Sequence, residues 1–360
     1  MQALRPQTTL LDFRLPNPSD LVAVERAISE LRAGRAVVLR AGAAQWRLQS
    51  IEAASLNVAA EAKLVLSGAR LRFLGQNLPR GGSLPCVGLA LQRLQNLSLS
   101  RALIEAPTFS AASETEVAAL DLAKLALTLP ALIISPATHS GDDLVCDMGA
   151  ISAYRAAQTQ NLHIISRAPV PLEGANSEFV VFRGGEGLRD QVAIIIGQPD
   201  LSASVTVRLH SACLTGDLFG SLKCDCGDQL RETTKAMAAG KGGIILYLDQ
   251  EGRGTGIGSK MRAYALQAEG LDTFDADEVL GFEHDERHFG FAARMLQLLG
   301  AARIQLMTNN PAKVAALVAA GLQVTATLAI QGRQTAQNRG YLETKRDRGG
   351  HMLDIEVVGD

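Results

Sequence analysis

Three cysteines, Cys213, Cys224 and Cys226, fall within the single run His210-Ser-Ala-Cys-Leu-Thr-Gly-Asp-Leu-Phe-Gly-Ser-Leu-Lys-Cys-Asp-Cys-Gly-Asp-Gln-Leu230. A fold that gathers them makes a set of three thiols with no fourth cysteine or histidine at ligand spacing. Structural zinc sites are usually closed by four protein ligands, whereas catalytic ones keep a position for water. Isolated cysteines are often no more than small buried apolar residues. Here Cys224 and Cys226 flank an aspartate and precede a glycine, which is the character of a turn rather than a core stripe. The pattern predicts an open zinc site.

A chain of 360 residues exceeds what one hydrophobic core usually serves, so two domains are expected. Hydrophobic residues at 47% and charged residues at 20% describe a soluble globular protein. No apolar run reaches the roughly 18 residues of a membrane span, so no membrane partner is expected. The start, Met1 to Thr9, has no apolar stretch after its arginine, which argues against secretion. The remaining cysteines, Cys86 and Cys146, stand alone, a usage that suits a reducing cytoplasm. A net charge of −2 supplies no basic field for nucleic acid.

Along the chain, helical spacing over Asp20 to Arg35, Glu116 to Leu127 and Met148 to Gln160 alternates with short apolar strands. These strands are Ala36 to Leu39, Leu132 to Ser135 and Leu162 to Ile165. Prolines at 169 and 171 mark a linker. Beyond it, Phe179 to Phe182 and Val192 to Ile196 read as paired strands around Gly184 to Gly187. Then come the helix Leu230 to Ala239, the strand Gly243 to Leu248, the helix Phe291 to Leu299, the strand Arg303 to Thr308 and the helix Pro311 to Ala320. The alternation predicts a two-domain α/β (α+β) protein.

Three further segments carry chemistry. The strand Gly243 to Leu248 runs into Asp249-Gln-Glu-Gly-Arg-Gly-Thr-Gly-Ile-Gly258, whose glycines allow close approach to a ligand and can offer N–H groups to phosphate. A flexible loop would look the same. Thr308 to Asn310 precede Pro311 at a helix start, with Lys313 in the first turn, a place that favours an anion. Asp285 and Arg287, two residues apart, share a face only if their segment is extended.

These motifs together resemble GTP cyclohydrolase II over residues 176 to 353. The resemblance rests on Arg208-Leu-His-Ser-Ala-Cys-Leu-Thr-Gly-Asp, Cys224-Asp-Cys-Gly, Gln250-Glu-Gly-Arg, Lys260-Met-Arg-Ala-Tyr-Ala-Leu-Gln, Leu280-Gly-Phe, Asp285-Glu-Arg, Thr308-Asn-Asn-Pro and Tyr341-Leu-Glu-Thr-Lys-Arg-Asp-Arg-Gly-Gly-His. It implies that Cys213, Cys224 and Cys226 bind one zinc ion. It implies GTP contacts from Arg208, Leu209, His210, Ser211, Ala212, Gln229, Glu251, Gly252, Arg253, Thr273, Thr308 and Lys313. Catalytic roles fall to Tyr264, Asp285 and Arg287, with Asp285 a general base and Arg287 attacking the α-phosphorus. On the implied route, water adds to C8, and ring opening followed by a second hydrolysis expels that carbon as formate.

A guanidinium is a poor nucleophile, so Arg287 as a bidentate phosphate clamp is the milder reading. Magnesium on the triphosphate and a homodimer are also implied. Ala212, Asp249, Asp277 and His288 depart from the family's common residues, but none is a predicted zinc ligand or catalytic side chain. Two alternatives stay open: a homologue that stops at the formamidopyrimidine, and a catalytically silent nucleotide-binding scaffold.

Residues 20 to 167 resemble 3,4-dihydroxy-2-butanone 4-phosphate synthase, through Ala27 to Val38, Glu114 to Ala123 and Asn161 to Ile165. That synthase needs an acidic cluster after its first strand, where this chain has Arg40-Ala-Gly-Ala-Ala-Gln-Trp46. Its histidine before Thr-Glu is Glu114 here. The resemblance therefore implies an inactive synthase-like domain over 1–170 and a cyclohydrolase domain over 176–360.

Overall fold

Among the described residues, two seven-stranded sheets, each packed against helices, divide the chain between them. The computed structural model describes all residues except 1–16, 54–58, 103–104, 138–142, 186–189, 331, 336, 349 and 351–360. Met1 to Thr9, Glu186 and Gly187 of the glycine turn, and Gly349 and His351 of the last motif therefore lie outside the described residues.

The first sheet runs in the order 110–111, 82–85, 63–66, 131–136, 44–50, 37–41, 144–147. Only the pair Val37–Ala41 and Leu144–Asp147 is parallel. Helices Pro18–Arg32, Glu114–Leu125 and Met148–Gln160 bury Val24, Leu31, Leu122 and Ile151 in one core with Leu39, Leu48 and Ile134. Local chemistry sets the start of Glu114–Leu125. Ser113 accepts from the Glu116 N–H while the Glu116 carboxylate returns to the Ser113 N–H, so two free donors are satisfied at once.

The second sheet runs 323–328, 303–307, 205–211, 243–248, 191–196, 177–183, 163–169. Val205–Ser211 lies parallel to both Gly243–Leu248 and Arg303–Met307, which is in turn parallel to Gln323–Leu328. The other three strands are antiparallel. Val207, Leu209, Ile244, Leu246, Ile304 and Leu306 are fully buried, as parallel strands with both faces covered must be.

The prolines at 169 and 171 do not mark a linker. Leu172 and Ala175 bridge, and the segment turns His163–Pro169 back onto Ser177–Arg183 within one sheet. The second sheet thus begins at His163. The helix read from Leu230 begins at Cys226, so its first turn carries a thiol.

Candidate active site

In open α/β sheets, ligands bind beyond the carboxyl ends of parallel strands. Three such ends converge here. Val205–Ser211 delivers Arg208, His210 and Ser211 and leads into Cys213. Gly243–Leu248 leads into Gln250 to Arg253, and Arg303–Met307 leads into Thr308 to Lys313. They surround a cavity of 400 Å³. Every residue named above as catalytic, thiol ligand or substrate contact lines it except Leu209. The Leu209 side chain is buried in the sheet core, and its carbonyl accepts a 2.8 Å hydrogen bond from Lys313 Nζ.

The thiol cluster sits at one side of this cavity. The sulfurs of Cys213, Cys224 and Cys226 all lie within 4.8 Å of one another, with 3.6 Å between Cys213 and Cys224. Gly216 makes that approach feasible, because a Cβ there would stand 2.9 Å from Cys224 Sγ and 3.1 Å from Cys213 Sγ. Lys260 Nζ donates to Cys213 Sγ at 3.1 Å, to Thr215 Oγ1 at 3.1 Å and to Glu251 Oε1 at 2.8 Å. Hydrogen bonds from the Cys224 and Cys226 thiols, with the Lys260 ammonium, hold the Cys213 thiol far below its ordinary value. The Cys213 sulfur in turn pushes Cys224 up to about 11. One thiolate among crowded sulfurs, facing a lysine, is a donor set suited to a soft divalent cation such as zinc.

A buried layer supports Cys213. The Asp217 carboxylate accepts from the Cys213 N–H at 2.9 Å, from Tyr247 Oη at 2.9 Å and from His210 Nε2 at 3.1 Å. Burial holds the His210 imidazole below its usual pKa, and its ring stacks on Tyr247.

Across the cavity, residues 283–289 form no regular element, and within them the Arg287 N–H turns back to Asp285 Oδ1 at 3.1 Å, bringing the two side chains together. Arg287 Nε and Nη2 donate to Asp285 Oδ1 and Oδ2 at 2.7 and 2.6 Å, and Nη1 donates to Ser211 Oγ at 3.2 Å. Burial raises the Asp285 carboxyl, but the Arg287 hydrogen bonds outweigh it and the carboxyl lies below its usual range. Arg208 is buried, donates to the Met307 carbonyl at 3.0 Å and pairs with Gln229; burial lowers its pKa to about 10. Tyr264 lies with Lys223 and Lys260 over its ring, 4.9 and 5.6 Å from the centroid.

The glycine-rich loop carries strain where it meets the cavity. Gly252 and Arg253 both adopt left-handed backbone, φ 63° and 58°, which costs a non-glycine residue of order 1 kcal/mol. Arg253 Nη1 donates to the His284 carbonyl at 2.6 Å and stands 3.2 Å from Asp277 Oδ2. The Glu251 carboxylate serves the framework, accepting from the Leu214 N–H at 2.6 Å as well as from Lys260.

The sequence profile of the GTP cyclohydrolase II family matches residues 163–329. A GTP cyclohydrolase-2 of Xylella fastidiosa (strain 9a5c) is 46% identical over 353 residues, spanning 94% of this chain and 89% of its own. The chain belongs to the GTP cyclohydrolase II family. A GTP cyclohydrolase-2 of Azospirillum brasilense is 38% identical over 362 residues, 92% of this chain and 94% of its own. A solved two-domain 3,4-dihydroxy-2-butanone 4-phosphate synthase from A. baumannii aligns over 86% of this chain and 99% of its own. Its 16% identity and TM-score of 0.32 are too low for that likeness to bear on either domain.

In this GTP cyclohydrolase II family member, three site residues escape single-sequence reasoning. Lys260 lies inside a quoted motif but is separated from Cys213 by 47 residues. Asp217 stands in the cysteine run, where a carboxylate alone gives no sign of serving as an acceptor for three donors. Asp277 shows only as a departure from the family's asparagine. It lines the cavity beside Arg253, and burial pushes its carboxyl up to about 7 against the pull of that arginine. Among the described residues, no helix is long and apolar enough to cross a membrane.

Proposed function

We propose that the chain hydrolyses GTP as a zinc-dependent GTP cyclohydrolase II. The products would be 2,5-diamino-6-(5-phosphoribosylamino)pyrimidin-4(3H)-one, formate and pyrophosphate, in the first step of riboflavin biosynthesis. One observation carries this reading: a three-thiol cluster and a bidentate Asp285–Arg287 pair face a single cavity at three parallel strand ends.

Cys213, Cys224 and Cys226 would hold the zinc. When bound, zinc supplies Lewis acidity that makes water a competent nucleophile near neutral pH. Three thiolates around a divalent ion leave about one negative charge, and the Lys260 ammonium beside Cys213 offsets it. At the other side, Arg208, Arg253, Arg287 and Lys313 bring positive charge to a triphosphate, with magnesium neutralising the remainder. Asp285 keeps the Arg287 guanidinium charged and aimed, which suits a clamp on phosphate oxygens better than a nucleophile. In that arrangement Asp285 positions the arginine and is a weak base.

The first domain is read as lacking synthase activity. Where a metal-binding acidic cluster is needed, Arg40 pairs with Asp147 and Arg47 with Asp143. Glu114, at the position of the synthase's histidine, is held by Arg80 through two hydrogen bonds of 2.6 and 2.7 Å. Formation of the butanone phosphate from ribulose 5-phosphate would sink this reading. A cytoplasmic setting fits five free cysteines among the described residues. Homodimerisation rests on the sequence resemblance alone.

The test is to incubate the zinc-loaded protein with GTP and magnesium and to measure formate, pyrophosphate and bound zinc. Equal formate and pyrophosphate are expected. Pyrophosphate without formate selects the enzyme that stops early, and no turnover with zinc present defeats the enzymatic reading.

A further inference from the structure

The segment that carries Asp285 and Arg287 belongs to the second domain, yet much of what holds it comes from the first. Ser67 Oγ donates to the Gly281 carbonyl at 2.5 Å, and Arg70 Nη1 donates to the Val279 carbonyl at 2.9 Å. Arg72 Nε reaches Glu278 at 2.7 Å and its Nη2 reaches Glu283 at 3.0 Å. Lys124 Nζ lies 2.7 Å from Glu286 Oε1, with side-chain exposures of only 20% and 12%.

Glu286 stands between the two catalytic candidates in sequence. Asp285 and Arg287 line the cavity, while Glu286 turns away from it towards Lys124. Glu286 also locks the local backbone. Its Oε1 accepts from the Glu283 N–H at 3.0 Å, and its own N–H donates to the Arg253 carbonyl at 3.1 Å. One ion pair therefore touches both the segment of Asp285 and Arg287 and the strained glycine loop.

The same helix end supports that loop a second time. Leu127, two residues beyond Glu114–Leu125, takes a left-handed backbone at φ 55°. Its side chain packs against Gly256, within ordinary van der Waals contact (3.4 Å) of where a Cβ would stand there. Leu127 and Arg253 are the two non-glycine residues with positive φ among the described residues, one on each side of the domain boundary.

We propose that Lys124 is a positioning residue for the cyclohydrolase reaction. Through Glu286 it holds the Asp285–Arg287 segment in register with the cavity, so the first domain serves the second domain's chemistry as a brace. This rests on the catalytic roles proposed above for Asp285 and Arg287. Misplacing a reacting group by about 1 Å can cost on the order of 100-fold in rate.

The test compares full-length, zinc-loaded wild type with Lys124→Met, Lys124→Arg, Glu286→Gln and the Lys124→Met/Glu286→Gln double variant. Arg101→Ala, which removes an exposed ion pair to Glu269 across the same boundary, is the control. Lys124→Met should lower kcat for GTP at least tenfold, leave KM within about twofold and leave zinc content unchanged. Lys124→Arg should recover most of the rate, and the double variant should be no worse than the poorer single one.

Hydrogen exchange gives a readout independent of turnover. Amides of residues 283–287 should exchange at least fivefold faster in Lys124→Met and at the wild-type rate in Arg101→Ala. Unchanged exchange, a kcat within twofold of wild type, or fully additive losses would each overturn the proposal. If wild type itself fails to turn over GTP, the proposed reaction falls, and the brace is then decided by exchange alone.

Discussion

The ammonium of Lys260 stands 3.1 Å from Cys213 Sγ and 2.8 Å from Glu251 Oε1, joining the thiol cluster to the glycine-rich loop. Burial works against a charged lysine there, but the Glu251 carboxylate and the Cys213 sulfur more than compensate and raise its pKa. The lysine stays cationic and favours the thiolate form of Cys213.

Replacing Lys260 by methionine removes that charge while keeping the stem. Zinc affinity, measured by chelator competition, should fall about tenfold at pH 7, the size of one charge-assisted hydrogen bond of roughly 1.5 kcal/mol. The deficit should narrow at pH 9, where ionising Cys213 depends less on the lysine. A deficit independent of pH would show that Lys260 acts by packing instead.

Gly216→Ala tests the crowding around the sulfurs. The added methyl meets Cys224 Sγ at 2.9 Å, closer than real Cβ contacts run, and Cys213 Sγ at a tight 3.1 Å. The thiols must part, so zinc affinity should fall by at least tenfold while the fold, read by circular dichroism, persists. Full zinc occupancy at wild-type affinity would mean that the cluster is more compliant than its geometry implies.

Arg287→Lys separates clamp from nucleophile. Lysine keeps the charge but loses the fork that meets Asp285 at two oxygens. A clamp should retain pyrophosphate release at a rate lowered about 10- to 100-fold, a barrier increase of roughly 1.4–2.7 kcal/mol. Complete loss, with GTP still bound, would favour covalent attack by the guanidinium.

Asp277 gives a pH dependence of definite sign. Its carboxyl is raised in the folded protein from an ordinary 3.8 to about 7, chiefly by burial. Stability from this group is therefore fully present below about pH 4 and is lost as pH rises through 7. Asp277→Asn should remove that loss and gain on the order of 2 kcal/mol at pH 8, visible as a higher Tm, with little gain at pH 4. Equal melting shifts at both pH values would refute the assignment to this carboxyl.

Much of the fold was legible where the apolar pattern is local. Met148–Gln160 and Gly243–Leu248 have the bounds read from the sequence, because the helix buries residues at 3.6-residue spacing and the strand is one short continuous apolar run. The polar strand Ala44–Ser50 and the four-residue strand Lys63–Leu66 were not legible, since their place depends on neighbours far along the chain. The helix Gly256–Ala268 was hidden behind glycines that read as loop, although Gly256 is both the end of that loop and the start of the helix. Cys213, Cys224 and Cys226 were legible as a site because ligand chemistry is written in residue type. Lys124 was not: an ordinary helical lysine shows nothing until the fold sets Glu286, 162 residues later, against it.

Arg70 carries a consequence for separating the two halves of this chain. Its guanidinium, 1% exposed, donates to Leu97 and Ser100 in its own domain and to Val279 in the other. Cutting the gene between the halves would leave a desolvated cation short of an acceptor on one side and an uncovered helix end on the other. In this chain the second half is therefore built to be covered by the first at Val279, whatever chemistry the first half performs. One buried guanidinium thus ties the stability of the two halves together, so that neither is a free-standing unit as this chain is built.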